Sequence, residues 1–125
     1  MAVQETRIAL RNVGKIDPRS IDDYIATGGY EALKKARQMD QDQLIDEIEN
    51  ASRLRGRGGA GFNTGFKWSG AKASDGDKKY IVCNGDEGEP GTFKDRVIIE
   101  NDPHTVIEGM LIAAYAVGAD EAIIY

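Results

Sequence analysis

Two short loops hold most of the residues able to do chemistry. The first, Arg55-Gly-Arg-Gly-Gly-Ala-Gly-Phe62, sets Gly56, Gly58, Gly59 and Gly61 beside Arg55, Arg57 and, further on, Lys67. Glycine lets the backbone turn N–H groups inward and approach a ligand closely. The flanking cations add charge and Thr64 adds a hydroxyl, a combination that suits a phosphate. Gly56, Gly58 and Gly61 have the spacing of a dinucleotide fingerprint. That fingerprint must follow a strand, whereas this loop follows a predicted helix, so the reading fails on context. The phosphate-loop pattern fails as well, because Gly65 is followed by Phe66 and not by Lys-Ser or Lys-Thr. The competing reading is a flexible linker or an RGG-like tract, although a linker more often carries Ser, Pro or Gln.

The second loop, Cys83-Asn-Gly-Asp-Glu-Gly-Glu-Pro-Gly-Thr-Phe-Lys-Asp-Arg96, crowds Asp86, Glu87 and Glu89 together directly after an apolar strand. Ligands of open α/β sheets bind at the carboxyl ends of the strands. Three uses compete: coordination of a hard cation, acceptance of hydrogen bonds from sugar hydroxyls or an amide, and a merely solvated loop. The calcium-loop spacing is not matched. The glycines and Pro90 fix a shape, and Lys94 and Arg96 balance the acids. Cys83 reads as a buried small hydrophobe rather than a reactive thiol. His104 falls in the first turn of a helix, where the dipole disfavours an imidazolium, and reads as a neutral surface or hydrogen-bonded side chain. Phe62 and Trp68 read equally as core or as an aromatic face for a flat ring.

The elements that must position these loops follow from periodicity. Arg7–Val13 alternates polar and apolar residues and is predicted as an edge strand. Ser20 or Asp17 caps a helix with Ile21, Tyr24 and Ile25 on one face, interrupted by Gly28-Gly29. Tyr30–Gln38 reads as helix. Asp40 with Gln43 resembles a capping box opening a further helix to about Ser52. Trp68–Lys79 reads as a polar connection, Lys79–Cys83 as a buried strand and Val97–Ile99 as a short apolar turn. Asp102-Pro103 starts a helix that Gly118 ends, and Ala122–Tyr125 is the next strand. Strand, loop, helix, strand is a βαβ unit with parallel strands. The predicted core is Leu44, Ile45, Ile48, Ile81, Val82, Val106, Ile107, Met110, Leu111, Ile123 and Ile124. The fold class is therefore α/β, a Rossmann-like parallel βαβ core with a helical N-terminal segment, and incomplete. Residues 1–53 form the N-terminal strand and helices, and residues 54–125 the first part of the ligand-binding domain.

Composition excludes several classes. The 125 residues carry 16 Lys+Arg against 21 Asp+Glu, a formal charge of −5, which argues against sequence-independent nucleic-acid binding. No apolar run approaches the roughly 18 residues of a membrane span, and the N-terminus has no signal-like segment. One cysteine and one histidine build neither a disulfide framework nor a zinc site. A cytoplasmic, reduced setting is expected. The ending, Glu121-Ala-Ile-Ile-Tyr125, reads like a strand cut before its turn and suggests a piece of something larger.

Leu54–Trp68, then Tyr80–Arg96, then Asp102-Pro-His104 together closely resemble the FMN- and NADH-binding flavoprotein subunit of respiratory complex I, a subunit type also found in NAD-linked hydrogenases and formate dehydrogenases. Arg11–Pro18 and Gly28–Leu33 look more like the hydrogenase and formate dehydrogenase branch. The resemblance implies that the glycine loop (Gly56, Arg57, Gly58, Gly59, Gly61) wraps FMN, with Gly56, Gly58 and Lys67 as flavin contacts. It implies that Asn84 and Glu87 hydrogen-bond the flavin beside Asp86, and that Phe62 and Glu89 lie on the NADH side, Phe62 as a face for adenine. NADH would pass a hydride to FMN, which hands electrons singly to iron–sulfur clusters. The cofactor carries that chemistry and the protein positions it. The clusters, the partner electron-transfer subunits and a later flavin-binding motif would lie outside this chain. No nucleic acid and no direct membrane insertion are implied. Two departures stand out: Asn63 replaces a usual proline, which predicts a looser loop, and Gly70 replaces a usual aromatic, which removes one wall of the adenine pocket. The alternative from a different class is a cofactor-free βαβ interaction or scaffold module. A related membrane electron-transport subunit and a cation-binding loop rank below it.

Overall fold

Asp102-Pro103 opens the longest helix, α6 (Pro103–Val117), and Gly118 closes it. Proline needs no N–H at the first helical position. Gly118 takes the left-handed conformation at φ 73° and returns its N–H to the Ala114 carbonyl. This computed structural model describes residues 4–125. It places before α6 the helices α1 (Ile21–Ala26), α2 (Glu31–Ala36) and α3 (Gln41–Asp46), which runs on into a π-helical turn at Glu47–Ala51. After these come α4 (Thr64–Ala73), β1 (Tyr80–Cys83) and α5 (Lys94–Asn101), and β2 (Glu121–Ile124) follows α6. Helices α2, α3, α4 and α5 and both strands pack on α6.

The expected βαβ unit is present. β1 and β2 pair in parallel, with Tyr80 opposite Glu121 and Cys83 opposite Ile124. The pairing continues past the strand ends, where Tyr125 N–H donates to the Cys83 carbonyl and Gly85 N–H to the Tyr125 carbonyl. The core gathers Ala36, Leu44, Ile45 and Ala116, with Met39, Ile48, Trp68, Ile112 and Tyr115 packed around it. Burying Leu44 and Ile45 contributes about 2 kcal/mol each. The two alanines let α2 and α3 come close to α6.

The capping box is complete: Gln43 N–H donates to Asp40 Oδ1 at 2.8 Å, and Asp40 N–H to Gln43 Oε1 at 3.2 Å. Ser20 caps α1 by accepting from Asp23 N–H. The Tyr24 ring lies directly over Gly29, where a Cβ would come within 2.2 Å of the ring. Only glycine fits there.

Several expectations are corrected. Residues 7–13 form consecutive turns and no strand, with bonds such as Val13 N–H to Leu10 O and Lys15 N–H to Asn12 O. Among the described residues no neighbouring strand offers a ladder, and Asn12 turns inward to a buried partner. Trp68 begins no polar connection: it belongs to α4, which Asn63 caps. Val97–Ile99 is the middle of α5 and not a turn. On α1 only Tyr24 is buried, while Ile21 and Ile25 are exposed. Of the predicted core, Val82, Leu111, Ile123 and Ile124 are exposed. A two-stranded sheet against one main helix leaves much of its apolar surface uncovered. The residues that are most buried include Tyr24, which the pattern places on the apolar face of α1, and Ala113, Ala116 and Val117, which it does not single out.

Candidate functional site

The glycine loop is a lasso tied at its neck. Gly56 N–H donates to the Phe62 carbonyl at 2.8 Å and Thr64 N–H to the Leu54 carbonyl at 2.9 Å, an antiparallel bridge between Arg55 and Asn63. The Arg55 guanidinium closes over the loop onto the Gly61 carbonyl at 2.9 Å, and Arg57 reaches the Arg55 carbonyl at 2.8 Å. Gly59 (φ 96°) and Gly61 (φ 60°) take left-handed backbone that other residues adopt at a cost. Among the described residues, no backbone N–H from 57 to 62 donates a hydrogen bond. A Cβ on Gly58, Gly59 or Gly61 would meet nothing within 4 Å. The loop thus presents several unpaired donors to open space between two arginines.

Asn63 does not loosen this loop. Its side-chain oxygen accepts from Phe66 N–H at 3.0 Å, capping α4, and its amide donates to the Glu49 carbonyl at 3.0 Å on the π-helical turn. Gly65 allows the same approach, since a Cβ there would lie 2.5 Å from Glu49. The π-helical turn, where Ser52 N–H bonds the Glu47 carbonyl at 2.8 Å, is therefore the bed on which the loop and the start of α4 rest. Such turns recur at functional sites. Gly70 lies on α4 with open space beside it.

The acidic loop leaves β1 at its carboxyl end and leads into α5. Asn84 folds over the next turn and accepts from Asp86 N–H at 3.0 Å. Glu87 turns back onto α5, accepting from Asp95 N–H at 2.7 Å and from Arg96 N–H at 3.1 Å. A carboxylate at a helix N-terminus is favoured by its unpaired N–H groups and by the dipole. Asp86 and Glu89 are exposed. Among the described residues, no set of three or more His, Cys, Asp or Glu is placed to hold a metal ion. Lys94 pairs with Asp95, and that hydrogen bond holds its ammonium above the usual lysine range.

The two loops meet. Arg57 from the first and Phe93 and Lys94 from the end of the second line one cleft of about 500 Å³, walled by Ala9, Leu10, Val97 and Ile98. Its walls are apolar and its rim carries two cations. That volume lies within the range of small-molecule sites. Sequence reasoning misses Ala9, Leu10, Phe93 and Val97. The alternating pattern of 7–13 hides the first two in a supposed strand, and Phe93 looks like one more loop residue. The site residues expected from sequence are not all gathered here. Asn84 lies at a smaller cavity of about 160 Å³ with Cys83, Gly85 and Asp95. Phe62 and Lys67 stand together at the start of α4, with Lys67 Nζ 5.3 Å from the Phe62 ring centre.

A second polar cluster lies apart from both loops and is buried. Glu108 on α6, 6 % exposed, accepts from Tyr24 hydroxyl at 2.5 Å, Tyr30 N–H at 2.9 Å and Leu33 N–H at 2.9 Å. Burial pushes its carboxyl upward, but these donors and nearby Arg11 outweigh burial and hold it below the usual range. Burial, reinforced by Glu108, pushes the Tyr24 phenol up to about 12. Tyr30 hydroxyl meets His104 Nδ1 at 2.8 Å, in keeping with a hydrogen-bonded histidine. Asp102, wholly buried, accepts from Asn12 at 2.8 Å and Thr105 hydroxyl at 2.7 Å, so its carboxylate joins the N-terminal turns to α6 instead of capping α6 through backbone N–H groups.

Residues 49–125 match the family described as Nuo51 FMN-binding domain. Over 122 residues the chain is 52 % identical to the NADP-reducing hydrogenase subunit HndC of Solidesulfovibrio fructosivorans, covering 98 % of this chain and 24 % of that protein. It is 54 % identical to a NADH-quinone oxidoreductase subunit of Aquifex aeolicus over 93 % of this chain and 27 % of the relative. It is also similar to the crystal structure of a NAD+-reducing NiFe-hydrogenase in the H2-reduced state, with a TM-score of 0.68 at 43 % identity over 82 % of this chain and 18 % of that one. The chain belongs to the Nuo51 FMN-binding domain family. It spans about a quarter of the length of the curated relatives it matches, which are oxidoreductase subunits by name.

Proposed function

We propose that this chain is the FMN-cradling part of an NADH:acceptor oxidoreductase subunit. The observation that carries the reading is the glycine lasso of a family named for FMN binding, whose N–H groups from 57 to 62 are left without partners. The residues present fit the group. Open space lies beside Gly58, Gly59 and Gly61, and the cleft shared by both loops joins apolar walls to the cations Arg57 and Lys94. An apolar cleft with a charged rim suits a planar ring system carrying a phosphate.

Gly56, Arg57, Gly58, Gly59, Gly61 and Lys67 would hold FMN, with Asn84, Asp86 and Glu87 supplying its polar edge. Phe62 and Glu89 would meet NADH. When bound, FMN supplies acceptance of a hydride from NADH and release of single electrons. The chain's own residues bind, orient and charge-balance. The bonds at the neck of the loop, from Gly56, Thr64 and Arg55, restrain it and lower the ordering cost of binding. Glu87, already bonded to Asp95 and Arg96 N–H, sets the path of the loop and keeps lone pairs free for a ligand donor. Iron–sulfur clusters belong to other parts of the complex, since a cluster takes about four cysteines and Cys83 is the only one here. Electron-transfer subunits of a multi-subunit oxidoreductase are the proposed partners, in the cytoplasm. No helix among the described residues is long and apolar enough to cross a membrane. Residues 1–53 and 54–125 are proposed as one domain, the first segment supporting the second.

The test is a flavin-fluorescence titration of the chain with FMN. Saturable quenching is expected. Lys67→Ala should weaken binding about tenfold, as loss of a charged hydrogen-bond donor does, whereas Arg37→Ala, on the distant end of α2, should leave it unchanged. Equal effects of the two substitutions would remove the phosphate-cradle argument. The second reading, a cofactor-free scaffold, draws on the exposed Val82, Ile123 and Ile124 of the sheet. It predicts self-association with no flavin bound.

A further inference from the structure

Asn63 serves both helices that meet at the neck of the lasso. The helix that runs from α3 through the π-helical turn stops at Ser52, because Arg53 takes left-handed backbone at φ 53°. Helix ends leave carbonyls without partners. A continued π-helix would send the Leu54 N–H to the Glu49 carbonyl, but it goes to the Ile48 carbonyl at 3.3 Å. The Asn63 amide takes its place on Glu49 at 3.0 Å. The same side chain accepts Phe66 N–H at 3.0 Å, so one amide closes the end of one helix and the start of the next. Asparagine can do both because it carries a donor and an acceptor. Aspartate lacks the donor, and serine caps a helix as well but lacks the reach.

This bridge sits at a junction. On one side are the neck bonds, Gly56 N–H to the Phe62 carbonyl and Thr64 N–H to the Leu54 carbonyl. On the other is the first turn of α4, where Lys67 N–H reaches the Asn63 carbonyl at 3.3 Å. Gly65 keeps the approach to the π-helical turn open, since a Cβ there would lie 2.5 Å from Glu49. The unpaired N–H groups of 57–62 and the Lys67 ammonium both seek an anion, and Asn63 is the residue through which their relative placement is set. We propose that Asn63 is a positioning residue: hung from the Glu49 carbonyl, it holds the lasso donors and Lys67 in register for the phosphate of FMN. This rests on the flavin cradle proposed above and deepens it by naming the side chain that sets the phosphate end.

The experiment compares Asn63→Ser and Asn63→Ala with the wild-type chain in three measurements. These are fluorescence titrations with FMN and with riboflavin, thermal melting, and limited trypsin digestion of the free chain after the exposed Arg55 and Arg57. Both variants lose the bridge, so both should weaken FMN alike, about fivefold, as loss of one hydrogen bond does. Riboflavin, which has no phosphate, should bind both variants as it binds wild type. Asn63→Ser keeps the cap of α4 and Asn63→Ala loses it, so Asn63→Ala should melt at the lower temperature. Trypsin should cut after Arg55 and Arg57 faster in both variants than in wild type. An FMN loss that follows the melting temperature, with Asn63→Ser near wild type, would overturn the proposal in favour of simple destabilisation, as would an equal loss of riboflavin. A wild-type chain that binds no FMN would overturn the flavin cradle itself. Faster cleavage of both variants would then still uphold the bridge as the restraint on the loop, and unchanged cleavage would overturn it as well.

Discussion

The buried cluster on α6 and the glycine lasso treat polar groups in opposite ways. At Glu108, one carboxylate collects a phenol and two backbone N–H groups from the α1–α2 region, and all are paired inside the protein. In the lasso, six consecutive residues keep their N–H groups unpaired while the neck is tied by Gly56, Arg55 and Asn63. A buried unpaired donor costs about 1–3 kcal/mol, so the first arrangement is what stability requires. Exposed donors held in a fixed shape cost little and wait for an anion. The difference separates a clamp that holds the N-terminal segment from a loop whose donors stay open, as the proposed flavin cradle requires.

The contrast breaks most visibly at Glu108. Glu108→Ala strands three donors at once and should cost about 3 kcal/mol or more by urea unfolding. Glu108→Gln, which still accepts, should cost less. The cluster also predicts a pH window. Tyr24 is raised from 10.0 to about 12 in the folded state, so its contribution is complete below pH 10 and is lost as pH rises toward 12. Glu108 is lowered from 4.5, so its contribution is complete above that value and is lost as pH falls through the lower folded value. Melting temperatures should fall at both ends, and Tyr24→Phe should reduce the alkaline fall, the remainder coming from Tyr30, whose phenol burial and Glu108 also raise. Gly65→Ala comes next in size. Its methyl would meet Glu49 at 2.5 Å and force α4 off the π-helical turn, costing about 1–3 kcal/mol as overpacking does. Because that turn carries the lasso, FMN affinity should drop with stability, whereas the Glu108 variants should change stability more than affinity in the folded fraction.

The fold class and the glycine loop are legible in the sequence, whereas several residues that pack around the loop are not. Gly56–Gly61 announces a loop of backbone donors because glycine in that density has few other uses, and Asp40 with Gln43 announces a capping box that the structure completes. Asn63 looks like a defect when only its lack of a proline ring is weighed. Its reach to Glu49 depends on a contact fourteen residues away that spacing does not display. The alternation of residues 7–13 suggests a strand, yet a strand needs a neighbour, and among the described residues the sheet has two members, both elsewhere. Val82 and Ile123 are apolar and strand-like, which identifies their element correctly. Burial depends on what covers the sheet, and that is not a property of the two residues themselves. Glu108 and the burial of Asp102 escape sequence reasoning because charged side chains are rarely the most buried ones. Tyr24 is placed on the apolar face of α1, and the Gly-Gly pair after it adds a signal, since Gly29 makes room for its ring.

Amide hydrogen exchange with and without saturating FMN tests the central claim most directly, since it reads both regions in one experiment. The account predicts new protection at residues 57–62, whose N–H groups have no partner in the free chain, with no change at Tyr30, Leu33 or along α6. Saturation with FMN that leaves 57–62 exchanging freely, or that protects the Glu108 cluster instead, would contradict it.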